Sequence, residues 1–260
     1  MPAEWTSTPW HPLLACALFI VPGVPLINFV DDMLDNYIQV GIVRAVNTLL
    51  MVAAMAFGIA FAVKLCHIEN FFPTISMVPH HQYWEYAIAA AISAMGFSMI
   101  FNIQRRLLWV VAIGGIIAVC TRNFVNLGPS TDNIGLDMGL VIGSFSGAVL
   151  VSLIAVKAVH WFDVPNHVLT IPSVIPMIPG VLMYRMLFGI ININVQSIDQ
   201  VTPLMKAIES GVNSGLVIMC IALGVAIPNI FGRRFIASSK NKRLAELLKE
   251  RKARGKFVEW

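Results

Sequence analysis

Ile175-Pro176-Met177-Ile178-Pro179-Gly180-Val181-Leu182-Met183-Tyr184-Arg185 is the stretch that decides the fold of this chain. It lies in an apolar run from Ser173 to Ile191, close to the roughly 20 helical residues that cross a bilayer. Pro179 removes a backbone donor and Gly180 permits a bend, so a helix here must break inside the membrane. Backbone groups freed at the break find no water in hydrocarbon and must face protein or a polar cavity. Arg185 follows Gly180 by about a turn and a half of helix, which puts a cation well inside the same run. Ionisable groups in spans are costly and are functional candidates by default.

The first apolar run, Leu13 to Val30, carries the same device in Val21-Pro22-Gly23-Val24-Pro25-Leu26. Each Pro-Gly is followed by a polar connector and then by a run that opens on glycine, Gly41-Ile42-Val43-Arg44 in one case and Gly211-Val212-Asn213-Ser214 in the other. The plain reading of each Pro-Gly is a kink that aids packing. Two in matching contexts point further. The other runs are Gly41 to Leu65, Tyr83 to Phe101, Leu107 to Cys120, Met138 to Val159 and Gly211 to Phe231. That makes about seven spans, an all-α polytopic transmembrane bundle. The two broken spans are then five apart, and an odd offset gives them opposite orientations. This is the arrangement of an inverted repeat, whose substrate site lies where the broken helices meet.

Composition agrees with a membrane chain. Of 260 residues, 57% are hydrophobic and 12% charged, against about 25% charged in soluble domains. Mean hydropathy is +0.76. The net charge of +4 is concentrated after the last run, in Arg233, Arg234, Lys240, Lys242, Arg243, Lys249, Arg251, Lys252, Arg254 and Lys256. Such a tail belongs on the cytoplasmic side, near anionic headgroups. Lys240 to Arg254, with Leu244, Leu247 and Leu248 at helical spacing, predicts an amphipathic surface helix. Counting back puts Arg105-Arg106 and Lys157 inside and the N-terminus outside. The N-terminus lacks a basic region and a small-residue cleavage site, so its first run reads as a span, not a signal peptide.

Several chemistries find no support. Cys16, Cys66, Cys120 and Cys220 are scattered, with no CxxC pair for a disulfide framework or a metal. There is no HExxH and no Walker A sequence. Gly143-Ser144-Phe145-Ser146-Gly147 has Phe where a serine nucleophile would stand. No nucleic-acid-binding module accompanies the basic tail. The expectation is a non-enzyme without cofactor or metal. Gly135, Gly139, Gly143 and Gly147, four apart, predict a packing stripe.

The candidate pathway residues are Pro22, Gly23, Asp31, Asp35, Arg44, Pro179, Gly180, Arg185, Ser210 and Asn213. Asp31 and Asp35 share a face if helical; they can pair with Arg44, carry protons or hold an ammonium group. Equally, they can form an acidic loop that caps the next helix. Ser210 and Asn213, with Glu209 and Ser214, can line a pathway or cap the last span. Lys64 and Lys157 lie near span ends and suit snorkelling.

Pro22-Gly23-Val24-Pro25-Leu26-Ile27-Asn28, Asp31, Gly41-Ile42-Val43-Arg44 and the Gly58-bearing helix resemble the threonine/serine exporter family. Ile175 to Tyr184 and the Gly211 to Gly215 helix resemble its C-terminal membrane domain. The resemblance implies two five-span halves of inverted topology in the bacterial cytoplasmic membrane. It implies export of L-threonine and L-serine driven by the proton gradient, with small dicarboxylates such as succinate proposed for some relatives. On that pattern residues 1–66 form a partial N-terminal repeat of two spans and 67–82 an extracytoplasmic linker. Residues 83–232 form the five-span domain and 233–260 the basic cytoplasmic tail. The first half holds about two spans where the family pattern has about five. This makes an oligomer, or a membrane subunit of a two-component exporter, the alternative expectation.

Overall fold

The computed structural model describes residues 23–65, 82–129, 134–162, 164–191 and 201–253, and among these it is all helical. The helices are α1 (Gly23–Leu34), α2 (Ile38–Leu65), α3 (Tyr83–Ile100), α4 (Leu108–Asn126), α5 (Leu140–Phe162), α6 (Asn166–Val174), α7 (Gly180–Ile191) and α8 (Val201–Ala253). One 3₁₀ turn, Arg105–Leu107, leads into α4, and another, Ile175–Met177, follows α6.

Among the described residues 4 stretches are long and apolar enough to cross a bilayer: Ile38–Ile59, Arg105–Asn126, Leu140–Val159 and Leu204–Gly232. Asn166–Met177 and Gly180–Met186, bent by 54°, make a further one if the pair is a single broken span. The sequence led to about seven, and two elements account for the difference. In α3 the first turn, Tyr83-Trp84-Glu85-Tyr86, dilutes an 18-residue helix. In α1 there are 12 helical residues, and the start of that run lies outside the described residues. The expected surface helix from Lys240 is not a separate element either. It is the continuation of α8, 53 residues long and unbroken through Pro228, in a stretch rich in the helix formers Lys, Leu, Ala and Glu.

Close packing rests on small residues. Ala90, Ala94 and Ser98 form the buried face of α3, and a Cβ at Gly115 of α4 would lie 2.7 Å from the Ala94 Cβ. Gly143 and Gly147 of α5 meet the backbone carbonyls of Arg122 and Ala118, so α4 and α5 run antiparallel. The anticipated stripe is thus packing at three of its four positions, since Gly135 lies against the Leu127 carbonyl. Gly135 and Gly139 precede the helix, and Gly139 has φ +88, a left-handed turn before α5 begins. On its other side α5 runs parallel to α8. Gly224 packs on Ala148, Gly232 on Val156, and the Ser152 hydroxyl donates to the Val225 carbonyl at 2.9 Å.

These registers define two ends of the bundle. Val156 and Gly232 mark the tail end, while Gly143 and Arg122 mark the far end. The two levels on α5 are separated by about 20 Å of helix. One core cluster joins the elements: Ile27 and Val30 of α1, Ala118 of α4, Val151 of α5, Val174 of α6, Met177, and Ile221 and Val225 of α8.

Candidate functional site

The second Pro-Gly motif starts a helix at its glycine, with α7 beginning at Gly180; at the first, the described helix runs from Gly23. Ahead of α7 the ladder of α6 ends in a tight turn, with the Ile178 N–H donating to the Ile175 carbonyl at 3.0 Å. Pro179 has no N–H to continue it, and Pro179 and Gly180 are both buried. Pro22 lies outside the described residues. The glycine of the first motif touches the break at the second: a Cβ at Gly23 would lie 2.6 Å from Ile178 Cδ1 and 3.8 Å from Ile175 Cγ1.

From that contact α1 runs toward the tail end and α7 toward the far end. α1 packs on α2 and on α8, while α7 packs on α8 and on α2. Each long helix approaches its short partner through a glycine. Gly41 of α2 lies against the Phe29 carbonyl, and Gly211 of α8 against Met186. Phe29 and Met186 are each six residues beyond the motif glycine.

A polar cluster lies at the tail-end side of the break. α1 ends in a turn with Asn36 at φ 68, closed by the Tyr37 N–H donating to the Asp32 carbonyl at 2.9 Å and the Asn36 N–H to the Met33 carbonyl at 3.2 Å. That pattern is a Schellman motif with asparagine in the left-handed position. It returns the chain so that Arg44 of α2 meets Asp32, Nη1 to Oδ2 at 2.6 Å. Asp31 turns the other way, its Oδ2 lying 3.8 Å from His167 Nε2 of α6. The same Nε2 is 3.2 Å from Asn229 Nδ2 of α8. Three segments distant in sequence are thus tied through one imidazole. Next to it Asn166 is 7% exposed, and neither of its amide atoms has a hydrogen-bond partner among the described residues. Buried, unpaired amides are rare and call for an explanation.

The sequence candidates therefore divide. Gly23, Pro179 and Gly180 form the break, and Asp31 and Arg44 belong to the cluster on its tail-end side. Asp35 sits in the turn after α1. Arg185 lies beyond the break on α7, in the far half. Ser210 donates to the Lys206 carbonyl of its own helix at 2.8 Å, and Asn213 is exposed. On α8 it is Ser214, 3% exposed and with no hydroxyl partner among the described residues, that is buried in the bundle. Sequence reading passed over Asp32, Asn166, His167 and Asn229. A signal was there in Asn166-His167, two polar residues opening the broken run, and in Asn229 directly after Pro228.

Residues 86–231 match the family model described as "Threonine/Serine exporter, ThrE". Residues 3–66 match a second model, described as "Putative threonine/serine exporter". Among curated proteins the chain is similar to an uncharacterized protein of Haemophilus influenzae, 25% identical over 141 residues. That match covers 54% of this chain and 44% of the relative, so the chain spans under half the relative's length. No solved structure matches.

Proposed function

Because this chain belongs to the threonine/serine exporter family, we propose that it exports L-threonine and L-serine as a proton-coupled secondary transporter. The observation that carries this reading is the contact of Gly23 with Ile178, in which the glycine of the first Pro-Gly motif meets the break at the second. α7 starts there. The first N–H groups of a helix lack intrahelical partners and favour an anion, so a solute carboxylate fits at its start.

The two motifs belong to an inverted repeat, α1–α2 against α7–α8. A glycine on each long helix, Gly41 and Gly211, set against the short helix before it, and the crosswise packing of each short helix support this. Asp31 and His167 are the proton-carrying pair, since a carboxylate and an imidazole in contact can exchange a proton and a charge state together. The tail end is cytoplasmic, in keeping with the basic residues that follow Gly232. Residues 1–66 and 83–232 are the two unequal repeat segments, and the membrane is the bacterial inner membrane.

The test is efflux from proteoliposomes preloaded with labelled L-threonine under an imposed proton gradient, with succinate as the competing solute. The expected result is gradient-driven threonine efflux that falls when Pro179→Ala, Arg185→Ala and Asp31→Asn are combined. Efflux undiminished by that triple change would sink the site. Succinate leaving faster than threonine would move the substrate class to dicarboxylates.

A further inference from the structure

Arg122 lies inside the span Arg105–Asn126, on α4 near the far end. Its Nε and Nη2 both donate to Asn123 Oδ1, at 3.2 and 3.1 Å. That acceptor is neutral, and among the described residues no carboxylate pairs with Arg122. α5 closes over this turn, because Gly143 sits against the Arg122 carbonyl. A guanidinium stays charged in any protein environment, and a cation in a span is retained where a partner or a solute neutralises it.

The position of Arg122 says which solute. Ala118, four residues earlier, shares its helix face. Gly147 touches both the Ala118 carbonyl and Met177 Sδ, at the end of the turn that precedes the break. Arg122 is therefore about 6 Å beyond the level of the break, toward the far end. Arg185 lies in the same half, five residues into α7. Asp31, Asp32 and His167 lie on the other side of the break. A zwitterion moving from the break toward the far end would approach this guanidinium, whose planar fork matches a carboxylate in two parallel hydrogen bonds.

We infer that Arg122 is a docking point for the carboxylate of the solute in the far half of the pathway. The assignment rests on the transporter reading for its solute, but its test has a readout apart from transport. Thermal unfolding of the purified full chain is followed with L-threonine, with L-threoninol (which lacks the carboxylate), with acetate and with chloride. L-threonine and, more weakly, acetate are expected to raise the unfolding temperature, and threoninol and chloride are not. Arg122→Gln, which keeps a donor for Asn123, removes the response. Arg122→Lys keeps the charge without the fork and weakens the apparent affinity by about tenfold. If Arg122→Gln does not fold, Arg122→Lys and the threonine-to-threoninol comparison on the unaltered chain decide.

Equal stabilisation by threoninol, an unchanged response in Arg122→Gln, or chloride acting as well as threonine overturns the assignment. Efflux measured on the same preparations separates the two ideas. Threonine efflux with an unaltered response in Arg122→Gln removes the docking point and leaves the exporter. A carboxylate response lost in Arg122→Gln without any efflux does the reverse.

Discussion

Gly23 lies directly on Ile178, so that a methyl group added at position 23 would come within 2.6 Å of Ile178 Cδ1. That atom is the free end of a flexible side chain and can turn aside. Gly23→Ala should therefore fold and keep most of its transport. Gly23→Leu cannot be accommodated by one rotamer change, and overpacking of this kind costs about 1–3 kcal/mol. Threonine efflux should fall by about tenfold or more. Ile178→Ala should recover part of it in the double variant, because the two side chains compete for one space. Additive losses in the double variant would mean that the two breaks do not meet.

The Asp31–His167–Asn229 link makes a different prediction. With Nε2 unprotonated, the imidazole accepts from the Asn229 amide. Protonation turns that acceptor into a donor and strengthens attraction to Asp31, so the charge state of one ring changes how α1, α6 and α8 are tied. Asp31→Asn and His167→Gln should each cut gradient-driven efflux by about a hundredfold, the lower end of the range for a lost proton-transfer group in enzymes. Exchange of labelled for unlabelled threonine without a gradient should persist. Equal loss of both activities would mark the pair as structural.

How much of this was legible in the sequence follows from which signals are local. Four of the spans, and a fifth if the bent pair is one span, could be read because continuous apolar runs need no partner to be recognised. The break at Pro179-Gly180 could be read because proline and glycine act on their own backbone. The start of α6 could not. Sequence placed the broken run from Ser173, yet helix begins at Asn166. Thr170 and Ser173 look like loop residues, but their hydroxyls fold back on the Asn166 and Leu169 carbonyls of their own helix, at 3.1 and 2.7 Å. The His167–Asn229 contact spans 62 residues, and nothing at either position announces the other.

Asp32 and Arg44 offer a test of the turn after α1. The pair is close, at 2.6 Å, but Arg44 is 38% and Asp32 23% exposed, so in water it would contribute about 1 kcal/mol or less. Against lipid the same charges have fewer alternatives. Asp32→Asn alone should lower the unfolding temperature in nanodiscs more than in detergent. Asp32→Asn with Arg44→Gln should restore most of it, since the stranded cation is removed with its partner. A double variant no more stable than Asp32→Asn alone would show that the pair does not hold the turn.

Gly143 and Gly58 look alike in sequence, each a glycine in an apolar helix, yet their surroundings predict opposite outcomes. A Cβ at Gly143 would lie 2.6 Å from the Arg122 carbonyl oxygen, a backbone atom that cannot rotate away, and 3.1 Å from the Asn126 Cβ. Gly143→Ala must push α5 off α4, at about 1–3 kcal/mol. At Gly58 nothing lies within 4 Å, so alanine adds no clash. It should leave stability unchanged or raise it by up to about 1 kcal/mol through lower backbone entropy in the unfolded chain. Unfolding temperatures of the two variants in one detergent check this directly. A Gly58→Ala loss as large as that of Gly143→Ala would require a neighbour on the outer face of α2, and cross-linking from a cysteine at position 57 or 61, both exposed, would then identify it.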